Sequence, residues 1–394
     1  MEREYEYLLH LLGAYLREEE PQVREDIDWT KLVQLSQIHC VTGILGYMSM
    51  TWPICPDEQM KASLRSICLN TIALFARRAA RADAFSNLLA EKGVDHILMK
   101  GYVLRNYYPI PELRTFGDID IVIRPEDRQK CHQLMLDGGY QVETDWEPVY
   151  SYTKDCEYYE LHSEIMEVDV SRKADYRTYF QGMWRYAKEA EPHKYEFTPE
   201  FHFLYMLTHI AKHVTGSGAG VRMYLDVAAF LHHFGKRLDW KFVRQELETL
   251  HFTTFANILL TMAQECFGVE SPLPLTPVPP ETMGAFLEFT MDGGVFGRNN
   301  RDSGTVSLKN ESRDKEKVSR LGTVTKRLFP AAKTIESRYT YLQDRPWLLP
   351  VAWVHRLVKT RDTWHQHAEE AQNILSADKD EVQKINSLYK DIGL

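Results

Sequence analysis

The chain has 394 residues, 44% of them hydrophobic and 26% charged, with a formal net charge of −9. That length holds two or three packed units of ordinary globular composition. The acidic balance weighs against a nucleic-acid coat protein, which tracks phosphates with clustered Lys and Arg, and no run approaches 18 uncharged apolar residues, so neither DNA binding nor a membrane span is expected. MEREYEYLLH lacks the basic-then-apolar layout of a signal peptide, and the six cysteines are scattered without C-x-x-C spacing. Both features fit a cytoplasmic protein with reduced thiols.

Residues 1–90 carry helical periods. In EYLLHLLGAYL the apolar positions recur at three and four, and TIALFARRAARADAFSNLLAEKG runs to a glycine stop at Gly93. The period then changes. VDHILM (94–99) and GDIDIVIR (117–124) are short and β-branched, with a helix expected around 101–108 between them. EDRQKCHQLMLDGGY reads as a helix ending in a Gly-Gly turn. QVETDW (141–146), the tyrosine-rich segment after it and EIMEVDVS (164–171) read as further strand candidates. From about 176 the pattern is helical again, with FHFLYMLTHIAKHV and VRMYLDVAAFLHHFG joined by TGSGAG. SPLPLTPVPP (271–280) holds five prolines in ten residues and is an extended loop, residues 297–317 are a polar connection, and RPWLLPVAWVHRLVK is an apolar segment interrupted by Pro350. The expected organisation is a helical region over 1–90, an α/β core over 91–175, a helical region closing a cleft over 176–290, and a linker with further helices over 291–394.

Two aspartates, Asp118 and Asp120, interrupt the apolar GDIDIVI strand. Side chains alternate along a strand, so the two share a face with Cα atoms about 7 Å apart. Two like charges at that spacing raise each other's pKa unless something positive lies between them, and a divalent cation resolves the conflict. Hard oxygen ligands select Mg²⁺ or Mn²⁺. By the same alternation EIMEVDV offers a third ligand, Asp169, with Glu167 as the alternative. The competing reading places all these acids on a solvated strand face or at strand ends.

LMKG followed by YYPIPELRTFGDIDIVI resembles the hallmark segment of the uncharacterised nucleotidyltransferase family within the DNA polymerase β-like superfamily. DIDWTKLVQLSQIHCVTGIL, FLYMLTHIAKHV with RMYLDVAAFL, and KRLFPAAKTIESRYTYLQDRPWLLPVAWVHRL are similar to further family segments. The resemblance implies an α+β fold, mainly helical overall, in which a small mixed β-sheet nucleotidyltransferase core is flanked by helical regions. It implies that Asp118 and Asp120 are metal carboxylates and Asp169 the third, a base for an acceptor hydroxyl. Lys100 and Gly101 stand where most of the superfamily has Gly-Ser, so Lys100 with the N–H groups of Gly101 and Tyr102 is the expected phosphate contact. Arg114 is a second cation for the triphosphate, and Gly117 adjoins the nucleotide. The implied reaction is transfer of a nucleoside monophosphate from an NTP, ATP in the first place, to a hydroxyl on a small molecule, a protein or an RNA, with pyrophosphate released. The alternative is a catalytically silent nucleotide sensor or scaffold on the same fold.

His209 and His213 lie four apart on one helix face that continues through His202 and Met206. HIAKH lacks the glutamate of H-E-x-x-H and offers no third zinc ligand. The face is therefore expected beside the cleft, with His209 at the nucleotide or acceptor pocket. Arg222 and Asp226, also four apart, read most simply as an i,i+4 pair or as orienting the histidine helix. DWEPVYSYTKDCEYYELH (145–162) could stack a base, although such a stretch is more often core and rim.

Overall fold

The computed structural model describes residues 2–146, 148–166, 170–171, 173–216, 218–294, 320–335, 339, 341–359, 372–376 and 379–394. The expected polar connection over 297–317 and the acids Glu167 and Asp169 lie outside them. The chain forms two compact units, one of residues 1–214, 218–299 and 392–394, the other of residues 215–217 and 300–391.

The first unit opens with four helices: α1 Arg3–Arg17, α2 Trp29–Ile38, α3 Thr42–Thr51 and α4 Glu58–Glu91. Aspartates start two of them. Asp28 accepts from the N–H groups of Thr30 and Lys31, and Asp57 from that of Met60, which satisfies donors a helix start leaves open. Helices α3 and α4 pack closely enough that a Cβ on Gly46 would sit 2.4 Å from the Leu64 carbonyl oxygen.

After α4 come the strands β1 His96–Met99, β2 Ile119–Ile123, β3 Gln141–Trp146, β4 Val149–Lys154, β5 Glu157–His162, β6 Ala187–Glu191 and β7 Lys194–Phe197. They form one mixed sheet in the order β3-β4-β5-β2-β1-β7-β6. Strand β2 runs antiparallel to β1 and parallel to β5, and β1 runs parallel to β7. The turn after β1 enters the short α5 Gly101–Leu104, and α6 Arg128–Asp137 follows β2. The helix expected around 101–108 is thus one α-turn followed by a 3₁₀ turn at Arg105–Tyr107.

Alternation sets the core. Ile119, Ile121 and Ile123 of β2 and Tyr159 and Leu161 of β5 pack against Phe75, Ala79, Ala82, Phe85 and Leu89 of α4 and Cys131 and Met135 of α6. At about 25 cal/mol per Å² of apolar surface, this cluster fixes which face of β2 turns inward. The other face is turned toward α8 Pro199–Thr215 and α9 Val221–Phe234; between β5 and α8 lies α7 Tyr176–Gln181, and α10 Trp240–Thr249, α11 Thr253–Phe267 and α12 Pro280–Gly293 complete the unit.

The tyrosine-rich segment, expected as a strand candidate, supplies β4 and β5, and β5 pairs with β2. Two expectations change here. The expected strand over 164–171 is absent from its described residues, 164–166 and 170–171, none of which is in a strand. The region after 176 also contains the β6–β7 hairpin.

In the second unit the described helices are Arg320–Leu328, Ala332–Ile335, Tyr341–Asp344, Leu349–Lys359 and Lys379–Asp391. Ile335, Tyr339, Leu342 and Ala352 form a small core. Pro350 lies in the first turn of its helix, where its missing N–H costs nothing, so it starts that helix rather than interrupting it. Among the described residues no helix is long and apolar enough to cross a membrane.

Candidate active site

The face of β2 opposite the isoleucines carries Asp120. On β5 the same alternation turns Glu160 and His162 away from Tyr159 and Leu161. The parallel register sets Asp120 beside Glu160 and Val122 beside His162. One ligand atom each from Asp120, Glu160 and His162 lies within 4.8 Å of the others. His162 Nε2 is 2.8 Å from Asp120 Oδ1 and 3.4 Å from Glu160 Oε2. Asp118, just before β2, is half-buried and lines the same cavity.

The turn after β1 supplies a cation. Lys100 has φ 51° and ψ −130°, a conformation costly for a residue with a Cβ, and its Nζ lies 2.6 Å from Asp120 Oδ1. Gly101 has to be a glycine: a Cβ there would sit 2.3 Å from Arg114 Nη1 and 2.6 Å from Phe116 Cβ. Its N–H opens α5, and the carbonyl of Lys100 accepts from Val103 and Leu104.

Electrostatics separate the two aspartates. The charge of Asp120, then burial, pushes the Asp118 carboxyl up to about 6. Burial would raise Asp120 as well, but Lys100 and His162 outweigh it and hold that carboxyl well below the usual range. Burial likewise works against the Lys100 ammonium, and Asp120 outweighs it, so the lysine stays charged.

These groups line a cavity of about 430 Å³ whose far wall is built from α8 and α9. Tyr205, Met206, His209, Ile210 and His213 recur at helical spacing along α8 and face into it. His209 and His213 meet Nε2 to Nε2 at 3.1 Å. Burial, then the mutual charge, drives His209 far below 6.5, and burial, then Lys100, pushes His213 down to about 4. Asp226 of α9 is taken by Arg114, with Nε to Oδ1 at 3.0 Å and Nη2 to Oδ2 at 2.6 Å, and by the Tyr108 hydroxyl at 2.8 Å. Arg222 therefore does not pair with Asp226; its Nη1 donates to Thr115 Oγ1 at 2.9 Å.

The structure thus gathers Lys100, Gly101, Arg114, Gly117, Asp118, Asp120 and His209 around one cavity. Gly117 is exposed at its edge, and Arg114 reaches it with its charge already engaged by Asp226. Glu160 and His162 were not expected at the site. Their signal is in the sequence: EYYELH carries two polar residues two apart between residues that pack inward, the same pattern as D-I-D.

The donor set fits a divalent cation. Asp120 Oδ2 is buried without a hydrogen-bond partner, in a residue only 1% exposed, beside two further ligand groups. Two carboxylates and an imidazole could hold such an ion. No curated protein and no solved structure matches the chain. A family model described as an uncharacterised nucleotidyltransferase matches residues 25–268, more than half the sequence, and the chain belongs to that family.

Proposed function

We propose that the protein transfers a nucleoside monophosphate from an NTP, ATP in the first place, to a hydroxyl of a small molecule, protein or RNA, with Mg²⁺ or Mn²⁺ as cofactor. The convergence of Asp120, Glu160 and His162 on the floor of one cavity that Asp118 also lines, beneath a wall of cationic and imidazole groups, carries this reading. Asp118, Asp120 and Glu160 would hold the cation, with His162 Nε2 as a fourth donor. An imidazole among carboxylates suits Mn²⁺ at least as well as Mg²⁺. When bound, the ion neutralises charge on the transferring and leaving phosphates.

The protein's own part is positioning. Lys100 orients Asp120, and Gly101 lets the turn approach the strand that presents the acids. The acceptor oxygen attacks the α-phosphorus, its proton passes to a carboxylate at the floor, and the bond from the α-phosphorus to the bridging oxygen breaks to release pyrophosphate. Asp169, the third acid implied by the resemblance, competes with Glu160 for that role.

One observation favours the silent alternative: Lys100 Nζ already neutralises Asp120. Pyrophosphate release from NTPs, with Mg²⁺ or Mn²⁺ and a panel of hydroxylated acceptors, separates the two. The enzyme is expected to release pyrophosphate, and Asp118→Asn to lower the rate by about 10³-fold with the melting temperature kept. Nucleotide binding without release from any acceptor would support the sensor instead.

A further inference from the structure

The cations expected to hold the phosphates already have partners. Lys100 is paired with Asp120, and Arg114 grips Asp226 with two bonds. Arg222 lines the same cavity from the first turn of α9 and has no ion-pair partner among the described residues. Its Nη1 bonds only a neutral hydroxyl, Thr115 Oγ1, and its Nε is buried with no hydrogen-bond partner. Thr115 in turn donates to the carbonyl of Cys40 at 3.1 Å, which turns its lone pairs toward the arginine and fixes the guanidinium. Burial, then the neighbouring Arg114, weakens the hold of Arg222 on its proton. His209, Lys212 and His213 of α8 line the cavity beside it.

Resting on the nucleotidyl-transfer reading, we propose that Arg222, braced by Thr115 and flanked by His213 and Lys212, seats the β- and γ-phosphates of the NTP. The phosphate contact that most of the superfamily is expected to make from a Gly-Ser turn is moved here to the helical wall. The arrangement suits the charge of the ligand. Acids at the floor collect metal at the reacting phosphate, while a planar fork of N–H donors facing them takes the phosphates that leave. The same buried guanidinium makes the seat selective for polyanions over neutral sugars or nucleosides.

Inorganic tripolyphosphate titrated calorimetrically into the full chain with a chelator present tests the seat without metal. The wild type is expected to bind one equivalent, Arg222→Gln to bind at least tenfold more weakly, Arg222→Lys to fall between, and Asp118→Asn to bind no more weakly than wild type. Absence of binding by the wild type, equal affinity in Arg222→Gln, or an equal loss in Asp118→Asn overturns the proposal. If Arg222→Gln does not fold, Thr115→Val, which removes only the oxygen that braces the guanidinium, is expected to weaken binding several-fold, and an unchanged affinity overturns the seat. Pyrophosphate release distinguishes the two readings. Turnover in Arg222→Gln with wild-type tripolyphosphate affinity sinks the seat and leaves the transfer standing. Arg222-dependent tripolyphosphate binding in a chain that never releases pyrophosphate upholds the seat and sinks the transfer.

Discussion

Arg114 and Asp226 are separated by 112 residues, and both are buried at their point of contact. Removing one partner leaves an uncompensated charge in a low-dielectric site, so Asp226→Leu alone is expected to cost about 3–5 kcal/mol in urea unfolding. Adding Arg114→Met should recover much of that loss, and a double variant as unstable as the single one would contradict the pairing. Gly101→Ala, whose Cβ would meet Arg114 and Phe116, is expected to cost about 1–3 kcal/mol. At this scale Asp118 and Asp120 are legible in the sequence because two charges break an apolar run. The partner of Arg114 is not, because nothing local connects an arginine before β2 to a helix more than a hundred residues later. Arg222 and Asp226 fit an i,i+4 pair by spacing, yet the longer-range arginine reaches both carboxylate oxygens and wins.

Among the elements, β5 matters most to the site. Its tyrosines suggest stacking when read as composition, whereas in the sheet Tyr159 is core and its neighbours Glu160 and His162 face the cavity. Glu160→Gln is expected to lower pyrophosphate release by about 10²-fold or more with unchanged unfolding, since Glu160 is one-quarter exposed and loses no partner it needs for packing. Asp169→Asn is the matched control: a comparable loss there with none in Glu160→Gln would return the third acid to Asp169. The β6–β7 hairpin shows the opposite limit. AKEAE is mostly charged and exposed and carries no apolar alternation, and KYEF alternates over only four residues, through Tyr195 and Phe197, too short a run to mark a strand. The long α4 and the pair α8 and α9 were legible because their apolar residues repeat at helical spacing over many turns.

At the scale of the whole fold, burial holds several imidazoles neutral. His39, His202 and His213 are each pushed down to about 4 from 6.5, in every case chiefly by desolvation. The unfolded chain binds their protons more tightly, so stability is present above pH 6.5 and is lost as pH falls toward 4, by about 1.4 kcal/mol per pH unit for each imidazole. Asp118, raised to about 6, acts with the opposite sign between 3.8 and 6, and one carboxyl offsets one imidazole. The denaturation midpoint is therefore expected to fall between pH 7.5 and 5, and a flat profile would contradict the buried neutral histidines. The fold class was legible at this scale because helical periods flank a short stretch of strand periods. The arrangement of seven strands was not, since pairing depends on contacts distant in sequence.

The most direct measurement is anomalous diffraction from crystals soaked with Mn²⁺ and a non-hydrolysable NTP analogue. Manganese is expected about 2.1 Å from carboxylate oxygens of Asp118 and Asp120, with Glu160 or His162 completing its shell and the triphosphate running toward Arg222. Nucleotide and manganese bound elsewhere, with Lys100 still seated on Asp120, would contradict the proposed metal-dependent transfer.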